Sequence, residues 1–434
     1  MDTIRATLPD SIFALGITRP TTNRSVSVRN TYQIADAHSI SVNLSYATDS
    51  RKNQGVVGFV LPERAYSYYG ADTSLELRQF SSLSARSIFE NNFTYTSSHN
   101  ETTPNAQGMK INVIDAFNGG GAQNKSDNTA RTYDFGNLFT HLGEKLTIKA
   151  GSAATYRSSR SVSENNFTGT FTFSSLAAYR AGQPVSFRRS SGNPLLQIDQ
   201  SEFGFFVQND YKMTSRLTLM FGARYEFQTN VSDHNNLNPR LGFAYAPGRN
   251  MVIRGGAGIF NERLPITLLE PYRRLDGVHQ NEVVFNNPAY PDPFQPGVRN
   301  VASVRTIDSD LATPYSEVVM GSIERTFKST MFVSAAYDHS RTIHRYRNRN
   351  LNAARDIRSS TPRSCTPGQS PETCLRPDPS RGNVINFESS GSQNADNVRL
   401  NFRERFSIFN VVASYVYAVS YADSVASEIG RAHV

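Results

Sequence analysis

Residues 216–228 read RLTLMFGARYEFQ. Leu217, Leu219, Phe221, Ala223, Tyr225 and Phe227 fill one set of alternate positions, and Arg216, Thr218, Gly222, Arg224 and Glu226 fall in the other. Successive side chains of a β-strand point to opposite faces, so this stretch is a strand with one continuous apolar face and all its charge on the reverse. Immediately upstream, Phe203, Phe205, Val207 and Tyr211 oppose Glu202, Gln208, Asp210 and Lys212. The same period of two recurs at 26–34, at 40–46 with Ser41, Asn43 and Ser45 between the apolar positions, and at 398–402 with Arg399 and Asn401 between them. Other segments, such as 317–325, alternate poorly.

The connections alternate in length. Short turns fall near 35–37, 81–85, 143–144, 214–215, 247–249, 328–329 and 407–408. Between them lie longer Ser-, Asn-, Gly- and Pro-rich stretches at 49–71, 98–130, 158–201, 261–314 and 340–395, with a moderate one at 229–236. The rhythm predicts about seven hairpins, or about fourteen strands of ~10–12 residues: an all-β, antiparallel transmembrane β-barrel, present in part, with short periplasmic turns and long outer loops. At ~3.3 Å per residue and a tilt near 45°, such strands cover the ~25 Å apolar band of an outer membrane. Tyr46, Tyr211, Tyr225, Phe227, Tyr245, Phe260 and Tyr337 lie near strand ends, where a barrel carries its aromatic girdles. A soluble β-sandwich or propeller also alternates, but turns its charged residues to water and keeps no such rhythm of loop length.

Composition agrees. The chain has 434 residues, 38% hydrophobic and 19% charged, with 27 Phe, 20 Tyr, no Trp and two Cys, and a mean hydropathy of −0.45. Both the apolar and the charged shares are low for a soluble domain, and uncharged polar residues fill the gap. No run approaches the ~18 apolar residues that a membrane-spanning helix needs. The net charge of +8 is dispersed along the chain, so it selects no partner by itself. The N-terminal MDTIRATLPDSIFALG lacks the basic and apolar regions of a signal peptide. Cys365 and Cys374 flank TPGQSPET, a spacing that allows a local disulfide in an oxidising compartment.

Working outward from the opening stretch, FFVQNDYKMTSRLTLMFGARYEFQ (205–228), NPRLGFAYAP (238–247) and VIRGGAGIFNER (252–263) resemble the barrel of TonB-dependent transporters of the Oar-like group, which are bacterial outer-membrane proteins. FTGTFTFSSLAAYRAGQP (167–184) resembles the segment that precedes this hairpin in the same group. The close likeness covers 167–263, and the hairpin rhythm extends it loosely over most of the chain. The resemblance implies a longer protein with a signal peptide, often a small carboxypeptidase-regulatory-like β domain, a plug and a barrel of about 22 strands. On this reading residues 1–427 are part of that barrel. The C-terminal EIGRAHV (428–434) breaks the alternation of Val411, Ala413, Tyr415 and Tyr417, resembles the translation of a sequencing adapter, and is expected to be non-biological.

Catalytic and cofactor signatures are wanting. His339 and His344 flank SRTI without the spacing of a metal motif, and no nucleophile motif has partners. Gly119–Gly121 and Gly255–Gly258 carry no Walker lysine; the first reads as a flexible loop and the second as a strand with little side-chain bulk towards the lumen. The stretch HSRTIHRYRNRN (339–350) is expected to open a long outer loop, where its arginines would meet lipopolysaccharide or an acidic ligand rather than nucleic acid.

The expected function follows: a non-enzymatic outer-membrane receptor barrel without cofactor or metal, in contact with outer-membrane lipid. Its ligand is unknown, and its link to the TonB complex runs through a plug segment outside this chain. Arg216, Arg224, Glu226 and Arg254 are the lumen-facing candidates, and Arg345, Arg347 and Arg349 the outer-loop ligand contacts. The alternatives are a passive porin-like channel of about fourteen strands and a secreted soluble β-protein, either an adhesin or a carbohydrate-binding module.

Overall fold

The computed structural model describes residues 2–294, 302–327, 330–356, 363–364 and 374–423. Fourteen long strands run through them: β1 (Thr21–Ala35), β2 (His38–Gln54), β3 (Tyr66–Ser84), β4 (Ser87–Pro104), β5 (Ser126–Leu142), β6 (Leu146–Ser163) and β7 (Leu195–Lys212). The series continues with β8 (Leu217–Gln228), β9 (Asn236–Gly248), β10 (Met251–Asn261), β11 (Tyr315–Phe327), β12 (Met331–Asn350), β13 (Val384–Arg405) and β14 (Asn410–Ala422). Each pairs antiparallel with the next, giving an all-β barrel wall. In the ring order β14 and β1 are neighbours, yet no ladder joins them among the described residues. Both also stay exposed on both faces, as sheet edges do.

Alternation decides the two sides of the wall. In register, Phe205, Tyr225 and Leu237 stand side by side, as do Phe221, Leu241 and Ala257. Leu241 is 67% exposed and Phe221 43%, a surface that suits hydrocarbon rather than water. Tyr46, Tyr211, Tyr225, Tyr245 and Tyr337 are exposed on this outer face, and Phe227 stacks on Phe203 there at 4.9 Å. Phe260 departs from the expected girdle: it faces the lumen, under the Arg240 guanidinium at 4.3 Å. The outer face of β3–β6 also carries a polar row that blurs the sequence pattern. Asn91 donates to Gln79 at 2.5 Å and Asn137 to Ser152 at 2.7 Å, so these side chains satisfy one another laterally.

The expected strand length needs correction. β12 has 20 residues and β13 has 22, where ~10–12 suffice to cross the membrane. The excess lies at the long-loop rim, where Ile385, Asn386, Phe387 and Glu388 are buried in succession, so the one-sided alternation that marks a strand in sequence is lost. HSRTIHRYRNRN is accordingly the upper half of β12 and not the opening of a loop.

The long connections are also more ordered than their composition suggests. Phe117–Gly120, Lys110–Val113, Thr170–Phe173, Ser186–Gly192, Gln280–Asn286 and Ala302–Ile307 pair in that order into a loop sheet, which joins β13 through a parallel ladder. Gly119 and Gly120 therefore lie in a strand and not in a flexible loop. One face of the sheet buries Val113, Phe117, Phe171, Phe173, Phe187 and Phe285 with Ala6, Leu61 and Ala116. Phe171, Phe173 and Phe187 are almost wholly buried, each contributing about 1.5–3 kcal/mol. Tyr290 meets Phe171 and Phe173 edge-on at 5.0 and 5.3 Å. Gly169 lets the chain pass this core: its φ is +92°, and a Cβ there would lie 2.1 Å from Phe187 Cζ. Two short helices complete the layer, Leu176–Arg180, capped by the Ser175 hydroxyl, and Ile266–Arg274. The latter buries Leu269 and Tyr272 against Ile385 and Phe387 of β13.

Candidate functional site

The lumen wall holds a linked set of charges. Glu202, 4% exposed on β7, is gripped by Arg157 of β6 and by Arg263 Nη1 at 2.9 Å, and accepts from Gln200 Nε2 at 2.9 Å. Arg263 Nη2 also lies 3.6 Å from Glu226, which Arg224 holds at 2.8 Å. Farther along the wall, Arg254 pairs with Glu324 at 2.6 Å and Arg399 with Asp338 at 2.7 Å. Three of the four sequence candidates, Arg224, Glu226 and Arg254, thus enter lumen ion pairs. Arg216 sits at the short-turn rim, its Nη1 donating to Pro247 O at 3.3 Å.

Beside these pairs the wall is hollowed into a cavity of about 670 Å³, lined by Phe206, Met220, Phe260 and Met320 with Arg240 and Arg254 at its margin. Gly242 and Gly256 face one another there in register, which leaves the hollow free of side-chain bulk. It is an apolar recess within a charged lumen.

The arginines of β12 are placed differently from one another. Arg347 Nε and Arg349 Nη2 clamp the two oxygens of Glu388 at 2.9 and 2.8 Å, and Ser390 donates to the same carboxylate at 2.6 Å. Arg345 stands opposite Gly391 across an irregular register, without a side-chain polar partner among the described residues. Cys365 lies outside the described residues, as do the Cys374 side chain, the turn at 328–329 and EIGRAHV. Among the described residues no group of three or more His, Cys, Asp or Glu could hold a metal.

A second concentration of charge lies where no sequence motif pointed. Arg64, Lys110, Arg188 and Arg376 come from four separate outer segments and line one polar cavity of about 900 Å³ over the loop sheet. Glu282 is the single carboxylate lining it among the described residues, and it is taken by Arg188 Nη2 at 2.9 Å. Arg64 Nη1 donates to Asn112 Oδ1 at 3.1 Å. Burial, and then the neighbouring Arg64, hold the Lys110 ammonium below the usual lysine range, and burial likewise lowers Arg64. The available sequence signal was alternation inside the presumed loops, as in TFTF at 170–173 and SFRRSSG at 186–192.

With this geometry in hand, the chain can be set beside known proteins. The family model described as outer membrane beta barrel domain matches residues 6–237 and 230–432. No curated protein matches in sequence. Among solved structures, the outer membrane transporter YddB of Escherichia coli is similar over 93% of this chain and 48% of its own, with a TM-score of 0.62 and 12% identity. The ferric enterobactin receptor PfeA of Pseudomonas aeruginosa, in a mutant form, gives 0.58 at 10% identity over 92% of this chain and 52% of its own. The siderophore receptor PirA of Acinetobacter baumannii gives 0.55 at 9% identity, over 92% and 53%. At these identities the likeness is one of fold, and the chain spans about half the length of these proteins.

Proposed function

We propose that this chain, which belongs to the outer membrane beta barrel domain family, supplies wall and outer loops to a TonB-dependent receptor that takes up its ligand at the expense of energy delivered from the inner membrane. Its place is the outer membrane. The observation that carries the reading is the pairing of a charged, partly hollowed lumen wall with an ordered, polar loop layer at the opposite rim from the short turns. Such a layer captures a solute, and such a lumen passes it on or holds the segment that gates it. The reading gives the chain a binding and conducting role and no catalytic one. Lipopolysaccharide meets the outer face at the long-loop rim, the TonB complex acts through a plug segment, and Arg345, without a side-chain polar partner among the described residues, is the ligand contact of the three β12 arginines.

The test uses the full-length protein. Reconstituted in planar bilayers it is expected to show no steady ohmic conductance, and in cells its uptake of ligand is expected to stop when the proton-motive force is collapsed. A stable open pore with uncoupler-insensitive uptake would identify a passive channel, and a form that stays folded and monodisperse without detergent would identify a soluble protein.

A further inference from the structure

The loop sheet is amphipathic in the manner of a soluble half-sandwich, and only its apolar face has a partner. Phe171, Phe173 and Phe187 anchor that face, so alternation forces Lys110, Asn112, Thr170, Thr172, Ser186 and Arg188 onto the other. These line the 900 Å³ cavity together with Arg64 and Arg376. Its lining holds four cations and one carboxylate, and no aromatic ring among the described residues. Arg188 and Glu282 cancel one another. Arg376 spends Nη1 on neutral acceptors, Asn352 O at 2.7 Å and Asn383 Oδ1 at 2.9 Å, and has no ion-pair partner among the described residues. Among the described residues Arg64 hydrogen-bonds only the Asn112 amide, with the Glu63 carboxylate acting on it from a distance, and the Lys110 ammonium has no hydrogen-bond or ion-pair partner.

Two half-buried cations side by side, neither in an ion pair among the described residues, destabilise a fold, and the packing of the sheet's other face holds Lys110 in that position. An anion entering the cavity would relieve the repulsion and accept charge-assisted hydrogen bonds from both. The rest of the lining is amide and hydroxyl, suited to hydroxyl-rich ligands, while the missing aromatic platform argues against a flat apolar one.

We propose that this cavity is a binding site for a small polyhydroxylated anion, such as an acidic or phosphorylated saccharide, whose carboxylate or phosphate is held between Arg64 and Lys110. The proposal rests on the receptor reading and gives that receptor's outer layer its ligand class. The same anionic chemistry reaches the cavity either as a free solute or as the phosphate of a lipopolysaccharide core.

Calorimetric titration of the full-length protein in detergent tests it, with four probes: trigalacturonate, glucose 6-phosphate, purified lipopolysaccharide and neutral maltotriose. At least one anionic probe is expected to bind and maltotriose is not. Removing both charges in an Arg64→Gln/Lys110→Gln variant is expected to weaken binding on the order of tenfold or more, whereas Lys110→Arg retains it and Lys145→Gln at the short-turn rim leaves it unchanged. Binding confined to lipopolysaccharide, still lost in the double variant, supports the site and assigns the anion to the lipid. Absence of anion binding, equal binding of maltotriose, or undiminished binding by the double variant overturns the proposal. The titration needs no energised membrane, so binding that persists while uptake proves insensitive to uncoupler sinks the receptor reading and leaves the site standing.

Discussion

Leu241 gives the most direct test of which side of the wall faces lipid. It lies on β9 between Phe221 of β8 and Ala257 of β10 and is 67% exposed. Tyr245, four positions nearer the short-turn rim, faces the same side. At ~3.3 Å per residue and a tilt near 45°, four residues rise about 9 Å, which brings Leu241 close to the midplane of a ~25 Å apolar band. Leu241→Arg therefore places a guanidinium in hydrocarbon, at an expected cost of about 2–4 kcal/mol. Met220→Arg is the matched comparison: Met220 pairs with Gly242 one position away but lines the lumen hollow, where the new charge meets water and the cost should stay within about 1 kcal/mol. Urea unfolding in phospholipid vesicles, followed by circular dichroism because the chain has no Trp, should separate the two midpoints at similar slopes. Equal midpoints, or a less stable Met220→Arg, would refute the assignment of faces.

Other expectations bear on the lumen and the loop layer. Glu202→Gln leaves Arg157 and Arg263 facing one another across a neutral amide; because both guanidinia are partly hydrated, the loss should be nearer ~2 than ~4 kcal/mol, and a midpoint shift under about 0.5 kcal/mol would show the cluster to be energetically idle. Gly169→Ala should loosen the loop sheet, since the new methyl collides with Phe187, and limited proteolysis should then cleave within 105–125 or 164–194 while the barrel survives. Burial lowers the Lys110 pKa, so the buried ammonium disfavours the folded state at low pH and that penalty fades as pH rises through the lowered value. Anion binding should accordingly weaken on the alkaline side before ordinary lysines titrate, and Lys110→Arg should abolish that pH step. If Cys365 and Cys374 are bridged as their spacing allows, maleimide should label neither without reductant; labelling of both would exclude the bridge.

The barrel was legible in the sequence because period-two alternation is a local property. Residues 203–228 expose their apolar positions to one side whatever the rest of the chain does, and the alternation of short and long connections follows from the need to turn at one rim and to reach outward at the other. The side of the strand that carries Arg224, Glu226 and Arg254 follows from the same alternation. Partner choice was not. Arg263 and Arg157 converge on Glu202 from separate strands, and Arg347 and Arg349 close on a glutamate some forty positions away, because ladder register and strand tilt bring those backbones together. The upper strand ends escaped notice because successive residues such as Ile385 to Glu388 are buried there and no one-sided alternation remains, and the polar row at Gln79, Asn91 and Asn137 because its amides are satisfied laterally within the membrane face. The cavity over the loop sheet is the extreme case. Arg64, Lys110, Arg188 and Arg376 are spread over more than three hundred residues, each in a stretch whose composition reads as loop. Only the burial of Phe171, Phe173 and Phe187 on one side of a tertiary sheet turns Lys110 and Arg188 to the other, where Arg64 and Arg376 join them from outside the sheet. Sequence alone determined that this chain makes a barrel wall, because alternation is local; tertiary structure decided where its charges are spent, because register and tilt choose their partners.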